Sequence, residues 1–116
     1  MKILYRSREK YTMKELYDLT KSPNIDKMSN HVDEVIDLQD YLVYDKEDAG
    51  AEQPVKVASV VTPEGEIMAT NSKTFIEAFT DMLDMAVDAG EQVHSIKVIS
   101  GKSRNGRTYI TCEYLS

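Results

Sequence analysis

The chain has 116 residues, a net charge of −6, and 41% apolar against 29% charged side chains, a balance that excludes wholesale disorder and fits one domain around one core. No apolar run approaches the roughly 20 residues of a membrane span, and the N-terminal MKILYRSREKY does not have the pattern of a secretory signal. The single cysteine, Cys112, cannot form an internal disulfide, so a reducing cytoplasm is the expected compartment.

The first readable element begins at Thr12. Thr12-Met-Lys-Glu15 has capping-box spacing, and Met13, Leu16 and Tyr17 follow at helical intervals. Ser22-Pro23 ends this helix and has the form of a second helix start, so residues 13–29 are expected as two short helices or one broken one. Over residues 34–45 the period changes to two, with Ile36, Leu38, Leu42 and Tyr44 on one alternating set, which predicts a long strand. Residues 46–54 are a polar loop. Val55–Val61 is a β-branched strand, Thr62-Pro-Glu-Gly-Glu66 a tight turn, and Ile67–Thr70 the returning strand. Thr74-Phe-Ile-Glu77 repeats the capping-box spacing. Phe75, Ile76, Phe79, Met82, Leu83, Ala86 and Val87 then form a helical stripe, with Gly90 at its end. From this stripe Phe75, Phe79, Leu83 and Val87 are expected to face the core. Two strands, residues 95–100 and 107–115, flank the loop Gly101-Lys-Ser-Arg-Asn-Gly106.

The expected fold is therefore mainly β within the α+β class. Five strands in the order β-β-β-α-β-β are the element order of an OB-like barrel, here over residues 31–116 behind a short helical N-terminal arm, residues 1–30. The whole is expected to be a single compact domain.

Catalytic and metal chemistry find little footing. His31, His94 and Cys112 have no zinc-ligand spacing. Gly101-Lys102-Ser103 ends like a phosphate loop, but Ile96 stands where the first glycine belongs, and the segment joins two strands. Cys112 alternates with Ile110 and Tyr114, which suits a small packing residue better than an activated thiol. The carboxylates Asp33, Glu34, Asp37, Asp40, Asp45, Glu47, Asp48 and Glu52 fit a solvated acidic surface and lack calcium-loop spacing. No enzymatic activity, cofactor or metal is expected.

Charge is unevenly spread. Residues 1–30 carry seven basic and four acidic side chains, a balance of +3. Residues 31–91 carry three and fifteen, giving −12, and residues 92–116 carry four and one, giving +3. Two basic segments are interleaved with aromatics. One is Lys102, Arg104 and Arg107 with Tyr109; the other is Lys2, Arg6, Arg8, Lys10 and Lys14 with Tyr5, Tyr11 and Tyr17. Cations neutralise phosphates and rings stack on bases, so both patterns suit single-stranded nucleic acid. In an OB barrel the loop between the fourth and fifth strands is one of two that bind oligonucleotides. The loop between the first and second is acidic here and would repel a phosphate backbone.

The stretch Ala69-Thr-Asn-Ser72, the helix opened by Phe75, and Ile99-Ser-Gly-Lys-Ser-Arg-Asn-Gly-Arg-Thr-Tyr-Ile-Thr-Cys112 resemble small OB-fold single-stranded-DNA-binding or replication-accessory proteins. These are proteins of bacteriophages and mobile elements of Gram-positive bacteria, and the resemblance covers roughly residues 34–115. It implies sequence-tolerant coating of single-stranded DNA during replication or recombination, in a bacterial cytoplasm, without catalysis or cofactor. Lys102, Arg104, Arg107 and Tyr109 would be the matching contacts. No disordered acidic C-terminal tail of the kind found in familiar bacterial single-strand binders is present, so recruitment of replication proteins through such a tail is not expected.

Further contacts are expected from Tyr41 and Tyr44 as stacking rings, and from Lys56 and Lys73 along the groove. Arg6 and Arg8 of the arm would extend the groove or support a homo-oligomer. The rival expectation is an acidic protein-interaction module or DNA mimic that docks a basic partner through the −12 segment.

Overall fold

In the computed structural model, which describes residues 1–47, 50 and 52–116, the run expected as one strand over 34–45 is two strands in two different sheets. The fold is mixed α+β and mostly strand. Its strands are β1 (Lys2–Arg6), β2 (Asp26–Lys27), β3 (Val35–Asp37), β4 (Asp40–Lys46), β5 (Val55–Val61), β6 (Ile67–Thr70), β7 (Ser95–Lys102) and β8 (Thr108–Tyr114). Its helices are α1 (Met13–Thr20) and α2 (Lys73–Ala89), with a 3₁₀ turn at Met28–His31. One sheet has the order β1-β4-β5-β6-β2, the other β3-β7-β8.

The break between β3 and β4 has a local cause. Leu38 N donates to His94 O (2.8 Å), just ahead of β7, whereas Gln39 N donates to Val61 O (2.7 Å), at the end of β5. Consecutive amides thus serve different sheets, and the chain turns a corner as it passes between them. Among the described residues the two ladders do not join into one closed barrel.

Both faces of the larger sheet are covered, which explains why Leu42, Val43 and Tyr44 are all buried despite strand alternation. Val43 and Tyr41 face α2 and the smaller sheet, in a core built on Phe75, Phe79, Ile96, Val98 and Met28. Leu42 and Tyr44 face α1 in a second cluster with Leu19, flanked by Ile3, Tyr11 and Leu16. The buried Ser59 hydroxyl donates to Leu19 O (2.6 Å) and ties the end of α1 to β5.

The N-terminal residues do more than form helices. β1 pairs antiparallel with β4, and β2 pairs parallel with β6, so both strands flank the larger sheet. The Thr12–Glu15 capping box forms in full, with Glu15 N on Thr12 Oγ1 (3.1 Å) and Thr12 N on Glu15 Oε1 (2.9 Å). Ser22-Pro23 starts a turn rather than a helix. Ile25 N and Asn24 N both return to Ser22, and the next helical residues are the 3₁₀ turn. The boundary expected at residue 30 falls inside that turn.

α2 is capped by Ser72, whose oxygen accepts from Phe75 N, and not by Thr74. Thr74 Oγ1 is turned to Ile110 O instead. Gly90 ends the helix in the left-handed region at φ 70°. Phe75, Phe79 and Leu83 are buried as expected, but Val87 is 78% exposed. Each step of four residues rotates the side chain by about 40° around the helix. Three such steps from Phe75 carry Val87 off the core face, while Met82 and Ala86 remain against it.

Candidate nucleic-acid interface

The β7–β8 hairpin closes through Ser103 N to Arg107 O and Gly106 N to Ser103 O, both 2.9 Å, with Gly106 at φ 77°. The β5–β6 hairpin has the same geometry around Gly65. In each, glycine takes the left-handed position that closes a three-residue loop. At the β7–β8 tip Lys102, Arg104 and Arg107 are all exposed, and among the described residues none forms an ion pair. Their charges are therefore not committed to the fold.

Tyr109 lies opposite Gly101 in the ladder. A Cβ at Gly101 would stand 2.6 Å from the tyrosine ring, so the ring rests directly on the glycine backbone. It remains 38% exposed. Register places Val35, Lys97, Ile99 and Thr111 on the same outer face as Tyr109. Of the cations, Lys97 shares this face, whereas Lys102, paired with Thr108, alternates to the other.

The free edge of β8 is closed by the start of α2. Ser72 Oγ and Thr74 Oγ1 both donate to Ile110 O, at 3.0 and 2.6 Å, and Thr111 Oγ1 donates to Thr74 O (3.3 Å). These bonds satisfy edge groups that would otherwise be open to pairing. They also bring Lys73, which lies between Ser72 and Thr74, beside the strand that carries Tyr109. Lys73 and Lys56 in turn line one groove of about 700 Å³. Its walls are β1 and β5 on one side and the first turns of α2 on the other.

The remaining expected contacts are placed elsewhere. Tyr44 is 4% exposed, in the cluster under α1. Tyr41 packs edge-on against Phe79, with ring centroids 5.6 Å apart. Burial raises the pKa of both hydroxyls, and Tyr44 is enclosed whereas Tyr41 is half-buried. Arg8 pairs with Asp40 (2.8 Å) and with Glu15, and its guanidinium lies over the Tyr11 ring at 5.3 Å. The hydrogen bond to Asp40 is the largest cause that raises its pKa. Arg6 donates to Glu9 O (3.1 Å) within the turn after β1. Both arginines are thus engaged in holding the N-terminal segment.

Of the acidic loop, Asp45 lies opposite Lys56 in the β4–β5 ladder. Glu47 and Glu52 are exposed, and Asp48 lies outside the described residues. Tyr5, in the groove, donates to both carboxylate oxygens of Asp84 on α2 (3.0 and 3.1 Å). Leu4, Gln53 and Asn71 also line the groove; no motif or period marks Leu4 or Gln53, and Asn71 falls in the stretch 69–72 without a role read for it. Cys112 is buried, and burial pushes its thiol up to about 12. It therefore stays protonated and un-nucleophilic near neutrality.

Uncommitted cations around a half-exposed ring are the equipment of a protein that binds nucleic-acid single strands through phosphate charge and base stacking. The family model described as phage single-stranded DNA-binding protein, of the Phi29 type, matches residues 14–114, and the chain belongs to that family. Single-stranded DNA binding follows from this membership. The match begins well before residue 34, so the family pattern takes in α1 and β2 as well as the later strands. No curated protein and no solved structure matched the chain. Among the described residues no helix is long and apolar enough to cross a membrane.

Proposed function

We propose that the protein coats single-stranded DNA with little regard to sequence, in replication or recombination, and that the β7–β8 hairpin makes the principal contact. The observation that carries this is the set of three unpaired cations, Lys102, Arg104 and Arg107, next to the Tyr109 ring seated on Gly101. The cations neutralise successive phosphates while the ring stacks on one base. Lys73 and Lys56 continue the charge past the start of α2. In this reading the two sheets act as the halves of an OB-like barrel hinged at Leu38-Gln39, with the hairpin at the mouth. The acidic exposed side of α2, with Asp81, Asp84 and Asp88, confines the strand to the hairpin side by repulsion. Replication or recombination proteins, or a second copy, would meet the complex elsewhere on the surface.

The test is a titration of fluorescent oligothymidine at several salt concentrations, with the wild type and with Arg104→Glu/Arg107→Glu. Each lost phosphate contact reduces the log–log salt slope by about 0.7 for a single strand. The double variant should therefore bind more weakly and show a slope shallower by about 1.4. An unchanged slope would remove the hairpin from the interface.

A further inference from the structure

The groove between β5 and α2 has more in it than two lysines. Its floor is apolar, formed by Leu4, Val43 and Ile76. Leu4 reaches it because the β1–β4 register shifts between Ile3 and Tyr5, which leaves Leu4 outside the ladder. Around the floor stand the side-chain amides of Gln53 and Asn71, the carboxylate of Glu77, and the ammonium groups of Lys56 and Lys73. All five residues are exposed, and among the described residues none of these side chains has a hydrogen-bond or ion-pair partner. The volume of about 700 Å³ lies within the range of roughly 300–1,000 Å³ typical of small-ligand sites.

An apolar floor ringed by unpartnered amides, one carboxylate and two cations has the chemistry of a nucleotide site. The floor would take the face of a base and the lysines its flanking phosphates. A carboxylate accepts a hydrogen bond from the amine of cytosine, and a side-chain amide can pair with the donor and acceptor edge of adenine. Thymine offers no such amine. We propose that this groove holds one base of the bound strand and favours one carrying a 4-amino or 6-amino group, cytosine or adenine, within otherwise sequence-tolerant binding. The inference rests on the hairpin reading above. Lys73 stands between the two residues that grip Ile110, the neighbour of Tyr109, so a strand that crosses Tyr109 meets the groove next.

The experiment compares an all-thymine oligonucleotide with the same oligonucleotide carrying one central cytosine or adenine, bound to the full-length chain. The substituted strands should bind about fivefold or more tightly, the low end of one good base-edge pairing. Glu77→Leu should collapse the cytosine preference and Asn71→Leu the adenine preference, each read as the ratio of affinity to that for the all-thymine strand. A 2-aminopurine at the same central position should be shielded from acrylamide in the wild type. Equal affinity for all three strands, or an unshielded probe, would overturn the groove assignment and leave the hairpin standing. Absence of binding to any strand would overturn both.

Discussion

At the scale of single residues, the arginines separate into two kinds that composition cannot distinguish. Among the described residues Arg104 and Arg107 form no ion pair, whereas Arg8 is held by Asp40 and Glu15. Arg8→Ala should lower the melting temperature and leave the salt slope of DNA binding unchanged; a shallower slope would place Arg8 on the DNA instead. Gly101 and Tyr109 act as a pair. Tyr109→Ala should weaken oligothymidine binding by about 1–3 kcal/mol, the usual worth of one stacked base. Gly101→Ala should do part of the same without unfolding the chain, because the new methyl meets the far edge of a movable ring rather than backbone. Wild-type affinity in both variants would deny the ring a stacking role. His31 carries a pH dependence. Its Nε2 faces Asp26 at 2.7 Å and its Nδ1 faces Glu34 at 3.3 Å, which links β2 to the start of β3. Burial opposes the charged imidazole, but the bonds to the two carboxylates outweigh it and raise the pKa. The stabilisation is therefore complete below the unfolded value of about 6.5 and is lost as pH rises through the folded value. Asp26 is held below the ordinary carboxylate range, first by Asn30 and then by His31. Its contribution exists above the unfolded value and is lost as pH falls through the depressed one. Thermal melts across this range should show a decline, as pH rises above the unfolded value of about 6.5, that His31→Gln lacks.

At the scale of elements, α2 shows how far periodicity reaches. The apolar stripe locates the helix and its first three buried turns, but a four-residue step drifts around the axis, and Val87 ends in solvent. Leu83→Ala should cost about 2–5 kcal/mol, as a buried leucine does. Val87→Lys should stay within about 0.5 kcal/mol. Denaturant titrations of the two variants separate the cases, and a large loss at Val87 would contradict the exposed placement. The helix start was displaced for a similar reason. Thr74 has capping-box spacing, yet its hydroxyl is worth more on the orphaned Ile110 carbonyl at the edge of β8, and Ser72 caps instead. Local chemistry at α1 had no such competitor, and Thr12-Glu15 capped as its spacing indicated.

At the scale of the whole molecule, a net charge of −6 is compatible with DNA binding because the charges segregate. The carboxylates Asp81, Asp84 and Asp88 lie on α2, while the cations of residues 102–107 gather at one hairpin. Of the N-terminal cations, Arg8, Lys14 and Arg6 are held by partners within that segment or by Asp40. Of the two tyrosines expected at the interface, Tyr44 is buried and Tyr41 half-buried, on opposite faces of one strand, as alternation places them once both faces of a sheet are covered.

The hairpins around Gly65 and Gly106, the capping box at Thr12, the α2 stripe and the basic loop were all legible in the chain, because each depends on residues within a few positions of one another. The pairing of β1 with β4, the corner at Leu38-Gln39 and the fate of Tyr41 and Tyr44 were not. Each of these is set by which partner lies across a sheet or a groove, at separations that no local period encodes. Sequence by itself determined where the two helices, the two hairpins and the basic loop would stand; the tertiary structure decided how the strands pair and which charges and rings remain available to a ligand, because pairing, burial and ion pairing are properties of neighbours in space.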